Sequence, residues 1–494
     1  MADFGITGYG AYVPYKRIPR QAIFNAVGWA QGGLKGLAKG ARAYAQWDED
    51  SVTMSVAACR AALEAFPDAA SSSSLPAALC FASTTAPFLD RQNAGIVATA
   101  LDLPAATHCY DTSGSQRAAV SPLTGLAQNQ TGNLTVVAAD RRPTASASVM
   151  EMLAGDGAAC VTIGSNADVL AELVDAQAVY ADFVDHYRTA GTETDYLLEE
   201  RWVRDAGLTQ QAPQAVQPLL ERHGLSPADI HHLIVPVPNA ALARPVAACL
   251  GISKEALADG LFAQCGHTGA AHPLMMLTQV LDNAAAGEWI LLCAFGQGFE
   301  AVLLKTTDAL VKKRGGYNLQ HQLDAGVEDE NYIKFLSAGG KIDIDWGMRA
   351  ERDNRTAQTV AFAKSRDIYG FVGGLCSACG TPQFPKARRC VNPDCGALDT
   401  QSDYPFADKK ALVKSFTEDW MAFTRQPPLV YGNVSFEGGG NVFIEMTDME
   451  PGDIAIGSLV RMQFRIKDID NMRGFHRYFW KAAPVPDMMA EGKG

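Results

Sequence analysis

Four cysteines fall within twenty residues of this chain, as Cys376-x2-Cys379 and Cys390-x4-Cys395 in the stretch GLCSACGTPQFPKARRCVNPDCG. Each pair sits on a tight knuckle containing Gly or Pro. Two such knuckles can set four thiolates tetrahedrally around one Zn²⁺ with no ligand position left open. The segment is therefore expected to be a structural zinc ribbon, with Cys376, Cys379, Cys390 and Cys395 as the ligands. Iron in a rubredoxin-like site is the competing metal, and a redox pair is the reading without one.

The other seven cysteines (Cys59, Cys80, Cys109, Cys160, Cys249, Cys265 and Cys293) are scattered singly through the first 300 residues. Spacing of that kind suits reduced, buried thiols and a cytoplasmic protein. The N-terminus carries no basic stretch followed by an apolar one, and no run approaches the roughly 18 apolar residues of a membrane span, so neither secretion nor membrane insertion is expected. Lys+Arg 42 against Asp+Glu 54 gives a net charge of −12 without a basic block, which argues against nucleic acid as a partner.

At 494 residues the chain is too long for one core. Its first 305 residues alternate apolar runs with Ala-rich amphipathic stretches. The runs Phe4–Tyr9, Ala78–Ala82, Leu134–Ala138, Ala159–Ile163, His232–Pro236 and Trp289–Ala294 predict strands. Ser51–Ala65, Ser115–Ala127, Val216–His223 and Pro273–Ala286 predict helices, so the class is α/β. Two halves of similar grammar, 1–165 and 166–305, each close on an expected hairpin (Ala158–Ala171 and Trp289–Lys305), which suggests duplication. A polar stretch, 306–365, reads as a connector. The cysteine ribbon takes 366–405, and the alternating runs of 406–494 suit a small five-stranded barrel. Ser71–Ser74 reads as a loop tip.

Gly266-His267-Thr268-Gly269-Ala270-Ala271 is the second chemical signal, a histidine in a Gly-rich loop at a helix start, where it can donate to a developing oxyanion or serve only as a turn residue. The order GITGYGAYVP, WDEDSVTMSVAACRAAL, LCFASTTAP, YDTSGSQRAAV, VPNAA, GHTGAA and FGQG resembles the thiolase superfamily. Within it the chain is most similar to the branch of 3-hydroxy-3-methylglutaryl-CoA synthase and ketoacyl-ACP synthase III, and DFVDHYRTAGTETDYLLEERWVRDAG also resembles a segment of that branch. The tail is similar to the zinc-ribbon/OB-fold proteins that accompany such enzymes. The resemblance implies a duplicated thiolase-like fold of two βαβαβαββ halves, then a rubredoxin-like ribbon and an OB-type barrel. It implies an enzyme acting on CoA thioesters, structural Zn²⁺, a homodimer, and a thiolase or other acyl-CoA enzyme as partner.

The family nucleophile is a Cys in a pattern like A-C-x-x-G-T-A-A. Here the matching stretch runs Asp111–Val120 and contains no cysteine; one register puts Ser113 at the nucleophile position, another Asp111, and Cys109 lies just upstream. The family's glutamate falls near Thr84 and its histidine near Pro236. Asn239 and His267 match the thiolase oxyanion pair. An enolate site without an acyl-accepting thiol still supports aldol or retro-aldol chemistry on a β-hydroxyacyl-CoA, which needs a base and an enolate stabiliser. Asp111, His108 and Tyr110 are candidate bases, with Tyr187 and Tyr196 behind them; Asp111 as a helix cap is the bland alternative. The reading the resemblance implies first is a carbon–carbon bond-forming or -cleaving acyl-CoA enzyme similar to 3-hydroxy-3-methylglutaryl-CoA synthase, with the usual Cys replaced; the non-covalent (retro-)aldolase and a non-catalytic acyl-CoA scaffold for a partner enzyme are the alternatives. Lys39, Arg42 and Arg91 are candidate phosphate contacts, and Trp420, Phe423 and Tyr431 could line an acyl path or a core.

Overall fold

The apolar runs of the first 305 residues become one mixed nine-stranded sheet in the computed structural model. Its order is Ile230–Ile234, Trp289–Phe295, Gly298–Thr306, Ala171–Tyr180, Phe4–Tyr12, Gly157–Ser165, Leu134–Asp140, Ala78–Ala82 and His108–Thr112. The structure describes residues 4–67, 76–130, 132–165, 169–314, 319–349, 355 and 357–485; Ser71–Ser74 lies outside them. By contacts the chain divides into two units, Met1–Gln46 with Asp50–Gly95 and Pro104–Gly339, and Trp47–Glu49 with Ile96–Leu103 and Gly340–Gly494.

In the first unit, alternate residues of one strand feed two different cores. Ile290, Leu292 and Ala294 pack with Leu274, Met275, Leu277 and Leu281 of the helix His272–Asn283. Their neighbours Leu291 and Cys293 pack with Val216 and Leu219 of Thr209–Arg222 and with Val246 and Ala247 of Ala240–Leu250. A strand buried on both faces reads as a continuous apolar run, which is why WILLCAF carries no polar alternation. Each fully buried Leu or Ile contributes roughly 1.5–3 kcal/mol.

Two local expectations are corrected. Trp289–Phe295 and Gly298–Thr306 do form a hairpin, but Gly157–Ser165 and Ala171–Tyr180 do not. Phe4–Tyr12 lies between them and pairs antiparallel with both. An N-terminal strand buried along its whole length is better placed inside the sheet than at an edge. The expected Ser115–Ala127 helix starts later, as Ser121–Asn129 with Pro122 in its first turn. The residues before it form a turn anchored by side chains, described below. The 306–365 stretch is divided between the units at residue 339. Leu310, Leu319 and Leu323 from its first part enter the core of the first unit.

The second unit holds a three-stranded sheet, Pro382–Gln383, Val372–Cys376 and Gln401–Pro405, that carries the cysteine knuckles. It also holds a five-stranded sheet in the order Asn441–Glu445, Leu429–Phe436, Ala411–Asp419, Leu459–Asp470, Phe475–Pro484. That sheet curls until its outer strands meet in a bridge between Met446 and Ala482. Phe371, Phe406, Phe464, Tyr478 and Trp480 fill the unit's interior.

Candidate functional site

Three parallel neighbours, Leu134–Asp140, Ala78–Ala82 and His108–Thr112, end on the same side of the sheet. Loops at the carboxyl ends of parallel strands are where α/β sheets place ligands, and here they bring together residues distant in sequence. Asp140 is the hub. Its Oδ1 accepts from Ser83 Oγ (3.0 Å), Thr84 N (2.7 Å) and Thr85 Oγ1 (3.0 Å). Its Oδ2 accepts from Thr84 Oγ1 and Ala270 N, both at 2.7 Å. Gly269, at φ +59, has to be glycine, because a Cβ there would lie 2.2 Å from Asp140 Oδ2.

Asp140 thus holds the loop that carries His267. The backbone of His267 is stitched to Leu153 O and Gly155 N, and its ring is 1% exposed. Nδ1 accepts from Gly269 N at 3.3 Å, while the ring also bonds the Pro236 carbonyl. Burial pushes its pKa well below the ordinary histidine value, and His272, Arg142 and His186 nearby add to the shift. The imidazole is therefore neutral near pH 7 and is a hydrogen-bond donor. Pro236 and Thr84, where the resemblance puts the family's histidine and glutamate, lie in this same neighbourhood: Pro236 against the His267 ring, and Thr84 on Asp140.

Arg142 Nη1 donates to Thr84 Oγ1 at 2.6 Å, and its Nη2 to Asp195. Asp195 also takes Arg188 Nη1 at 3.0 Å, and Arg188 Nη2 donates to the Thr84 carbonyl. These contacts clamp a small hairpin, His186–Tyr187 with Tyr196–Leu197, onto the site. Tyr187 opposes Tyr196 and His186 opposes Leu197, so the two tyrosines share the face away from His186. Both tyrosines are exposed, with their rings 5.3 Å apart.

The turn that follows His108–Thr112 is tied to the FGQG loop. Ser115 Oγ and Arg117 Nε both donate to the Gly296 carbonyl, at 3.0 and 2.7 Å. Arg117 pairs with buried Glu300, which Ser121 and Thr124 also bond. Between these anchors Gln116 Nε2 comes within 3.2 Å of His186 Nε2. Asp185 Oδ2 lies 2.6 Å from His186 Nδ1, and Gln297 donates to Asp185 Oδ1 at 3.2 Å.

The other expected site residues lie as follows. Asp111 accepts from the backbone N–H groups of Asn93 and Ala94 at the start of the Asn93–Ala100 helix. Ser113 is exposed at the start of the turn. Cys109 is half-buried on its strand, and burial, then Asp111, raises its pKa; burial likewise raises that of Tyr110, whose ring lies 5.5 Å from His108. Asn239 caps Ala240–Leu250 through Leu242 N, and its amide nitrogen donates to Glu200 at 3.0 Å. Arg42 is buried, bonding Thr144 and the Glu151 carbonyl; Lys39 is exposed, and Arg91 lies over Phe88 at 4.5 Å. Asp140, Arg142, Asp185, His186, Arg188 and Asp195 were not singled out by sequence reasoning. Four of them lie in or beside the DFVDHYRTAGTETDY segment that carried part of the resemblance, which was the available signal.

In the second unit the four cysteine sulfurs all lie within 4.8 Å of one another. Cys379 and Cys390 are 3.5 Å apart, Cys376 and Cys395 3.9 Å. A tetrahedron of Zn–S bonds of about 2.3 Å has edges of about 3.8 Å, so the sulfurs fit a structural zinc ion. Thr400 Oγ1 lies 3.2 Å from the Cys376 sulfur, and a bound metal would hold all four sulfurs as thiolates. Trp420 and Phe423 are exposed, and Tyr431 donates to Asp419 at 3.2 Å.

Comparison with known proteins agrees with this division. Residues 220–306 match the family of 3-oxoacyl-[acyl-carrier-protein] synthase III C-terminal domains, and 363–401 match the ChsH2 rubredoxin-like zinc ribbon. A solved HMG-CoA synthase complexed with CoA aligns at a TM-score of 0.60 and 17% identity, over 72% of this chain and 95% of that one. The 3-oxoacyl-(acyl carrier protein) synthase III of Pseudomonas aeruginosa aligns at 0.54 and 20%, over 62% and 99%. These likenesses give the thiolase-like α/β body. Hydroxymethylglutaryl-CoA synthase of Pyrococcus furiosus is 26% identical, over 68% of this chain and 93% of its own. That of Aeropyrum pernix is 32% identical over 355 residues, 70% of this chain and 93% of the relative. The chain belongs to the hydroxymethylglutaryl-CoA synthase family.

Proposed function

We propose that this protein acts on acyl-CoA thioesters and makes or breaks a carbon–carbon bond without a covalent acyl-cysteine, as a (retro-)aldolase of β-hydroxyacyl-CoA. The observation that carries the reading is the neutral, buried His267, on a loop held by Asp140, in a chain whose Asp111–Val120 stretch holds no thiol. The ring donates to Pro236 at rest, and an enolate oxygen taking that place would meet a donor that needs no reorganisation. Asn239 joins it only by exchanging Glu200 for the thioester oxygen. Cys109 has its thiol pKa raised, the opposite of what a nucleophile needs.

A homodimer belongs to the same reading. His108–Thr112 ends the nine-stranded sheet, and an open edge suits pairing with a second copy. A partner thiolase or other acyl-CoA enzyme, and a cytoplasmic location, remain part of it. Among the described residues, no helix is long and apolar enough to cross a membrane.

The test is a panel of acyl-CoAs and branched β-hydroxyacyl-CoAs, with products and intact-protein mass read on the same samples. Cleavage to an acyl-CoA plus a carbonyl compound, without an adduct and lost in His267→Ala, is the expected result. Free CoA with a covalent acyl group on Cys109, Ser113 or Asp111 overturns the non-covalent part. Binding without turnover overturns the enzyme and leaves a scaffold.

A further inference from the structure

We propose that His186, oriented by Asp185, is the general base of this site. The inference rests on the carbon–carbon reading above and adds the residue that moves the proton. At 2.6 Å from Asp185 Oδ2, His186 Nδ1 carries its hydrogen toward the carboxylate, which leaves the lone pair on Nε2. Gln297 holds the other carboxylate oxygen at 3.2 Å, so Asp185 has a donor on each side. Nε2 in turn receives the Gln116 amide at 3.2 Å. A substrate hydroxyl taking the place of that amide would face a lone pair already aimed at it.

The two histidines divide the work. His267 accepts at Nδ1 from Gly269 and is left with a donor, whereas His186 donates at Nδ1 and is left with an acceptor. Pairs of titratable groups with opposed environments are how sites assign acid and base roles. Access separates them as well: the His186 side chain is 12% exposed, against 1% for His267. Arg188, two residues on and just past the hairpin strand, bonds Asp195 and the Thr84 carbonyl. That contact ties His186 to the 83–85 loop, which Asp140 joins to the loop of His267.

In the cleavage direction Nε2 takes the β-hydroxyl proton as the Cα–Cβ bond breaks. The O–H electron pair becomes the second bond of the released carbonyl compound. The Cα–Cβ pair moves into the thioester as an enolate, whose oxygen His267 holds. The imidazolium then returns its proton to Cα, giving acyl-CoA and neutral His186. No oxidant or reductant enters. The reverse reaction begins by removing an α-proton from acyl-CoA, a half-reaction that needs no carbonyl partner.

That half-reaction is the test. Full-length wild type, His186→Gln and Asp185→Asn are incubated with acetyl-CoA or propionyl-CoA in D2O, and deuterium at Cα is followed by mass spectrometry. Cleavage of β-hydroxyacyl-CoA is measured separately. Wild-type exchange should fall about 100-fold or more in His186→Gln, with the melting temperature unchanged. In Asp185→Asn it should fall about 10-fold or more, with its pH profile displaced, a change that lost packing alone does not produce. Exchange that depends on His186 without any cleavage overturns the carbon–carbon reading and leaves the base. Exchange or cleavage in His186→Gln within threefold of wild type overturns the base. Neither reaction in wild type overturns both.

Discussion

Asp140→Asn replaces one carboxylate oxygen by an amide nitrogen in nearly the same shape, so it leaves no cavity and changes only hydrogen bonding and charge. Five donors converge on the two oxygens. The three hydroxyls can turn, but Thr84 N and Ala270 N cannot, and they lie on different oxygens. Whichever way the amide is placed, its NH2 meets one of these fixed N–H groups and strands it. A buried donor left without an acceptor costs about 1–3 kcal/mol. The bonds that remain lose their charge assistance, and Arg142, 3.9 Å away and 2% exposed, loses one of its two carboxylates. The sum is on the order of 3–5 kcal/mol. At about 2 °C per kcal/mol for a unit of this size, the thermal transition should fall by about 6–10 °C. Calorimetry on the full chain reads this directly, with Asp399→Asn as the control, since that carboxylate pairs with exposed Arg388 and its loss should cost under about 1 kcal/mol. A transition within about a degree of wild type for Asp140→Asn would show that the loops are held by something other than this carboxylate, and the argument for His267 as a fixed donor would fall with it.

Three other outcomes are expected. A mercurial that caps the thiols should release one zinc ion per chain into an indicator, and Cys390→Ser should release none; release from Cys390→Ser equal to wild type would place the metal elsewhere. His272 is buried, and that burial pushes it down to about 3, as burial also depresses His267; both stay neutral in the folded state while the unfolded chain takes protons below about pH 6.5. Stability of the first unit should therefore be flat in these groups above that pH and fall below it, by about 1.4 kcal/mol per pH unit for each histidine, until the folded values are reached. His272→Gln should remove one proton from that slope in urea melts between pH 6 and 4. In the second unit Lys481 bonds Asp48 at 2.9 Å and lies 3.5 Å from Glu445. Burial opposes its charge, but Asp48 and Glu445 overcome that and hold its pKa above the ordinary value. Lys481→Met should cost about 3–5 kcal/mol by taking the cation away from the buried Asp48 carboxylate, while Glu445 keeps Lys467. In wild type this contribution should persist up to about pH 10.5 and disappear only as pH rises through the raised value; an equal cost at pH 12 would refute the pairing.

The sequence was most legible where one kind of interaction decides the outcome locally. Ala78–Ala82 and Ser51–Ala65 have the expected bounds because an apolar run and an Asp50 capping box are self-contained signals. The four cysteines converge because thiol chemistry permits little else. Legibility failed where partners are distant. Nothing in the Gly157–Ser165 run announces that Phe4–Tyr12 will lie between it and Ala171–Tyr180, because strands buried on both faces carry no alternation to set their neighbours. Asp140 lies two residues beyond the expected Leu134–Ala138 strand, and its donors come from residues 83–85 and 270. The His186 dyad shows the same limit in a sharper form. Asp185 and His186 are adjacent, yet an Asp-His dipeptide is unremarkable by itself. It becomes a candidate base only when Gln116, from a turn about 70 residues earlier, and Gln297, from a hairpin about 110 residues later, arrive at its two ends. The sequence pointed to Asp111, His108 and Tyr110 as bases, and to Tyr187 and Tyr196 behind them, but not to His186 beside Tyr187. In the folded chain Asp111 holds the start of the Asn93–Ala100 helix, while the turn that follows it delivers Gln116 to a histidine in the other half. The choice of base therefore moves from Asp111, which is occupied in holding a helix, to His186, whose partners come from both sides of it in sequence, and the deuterium experiment tests that choice.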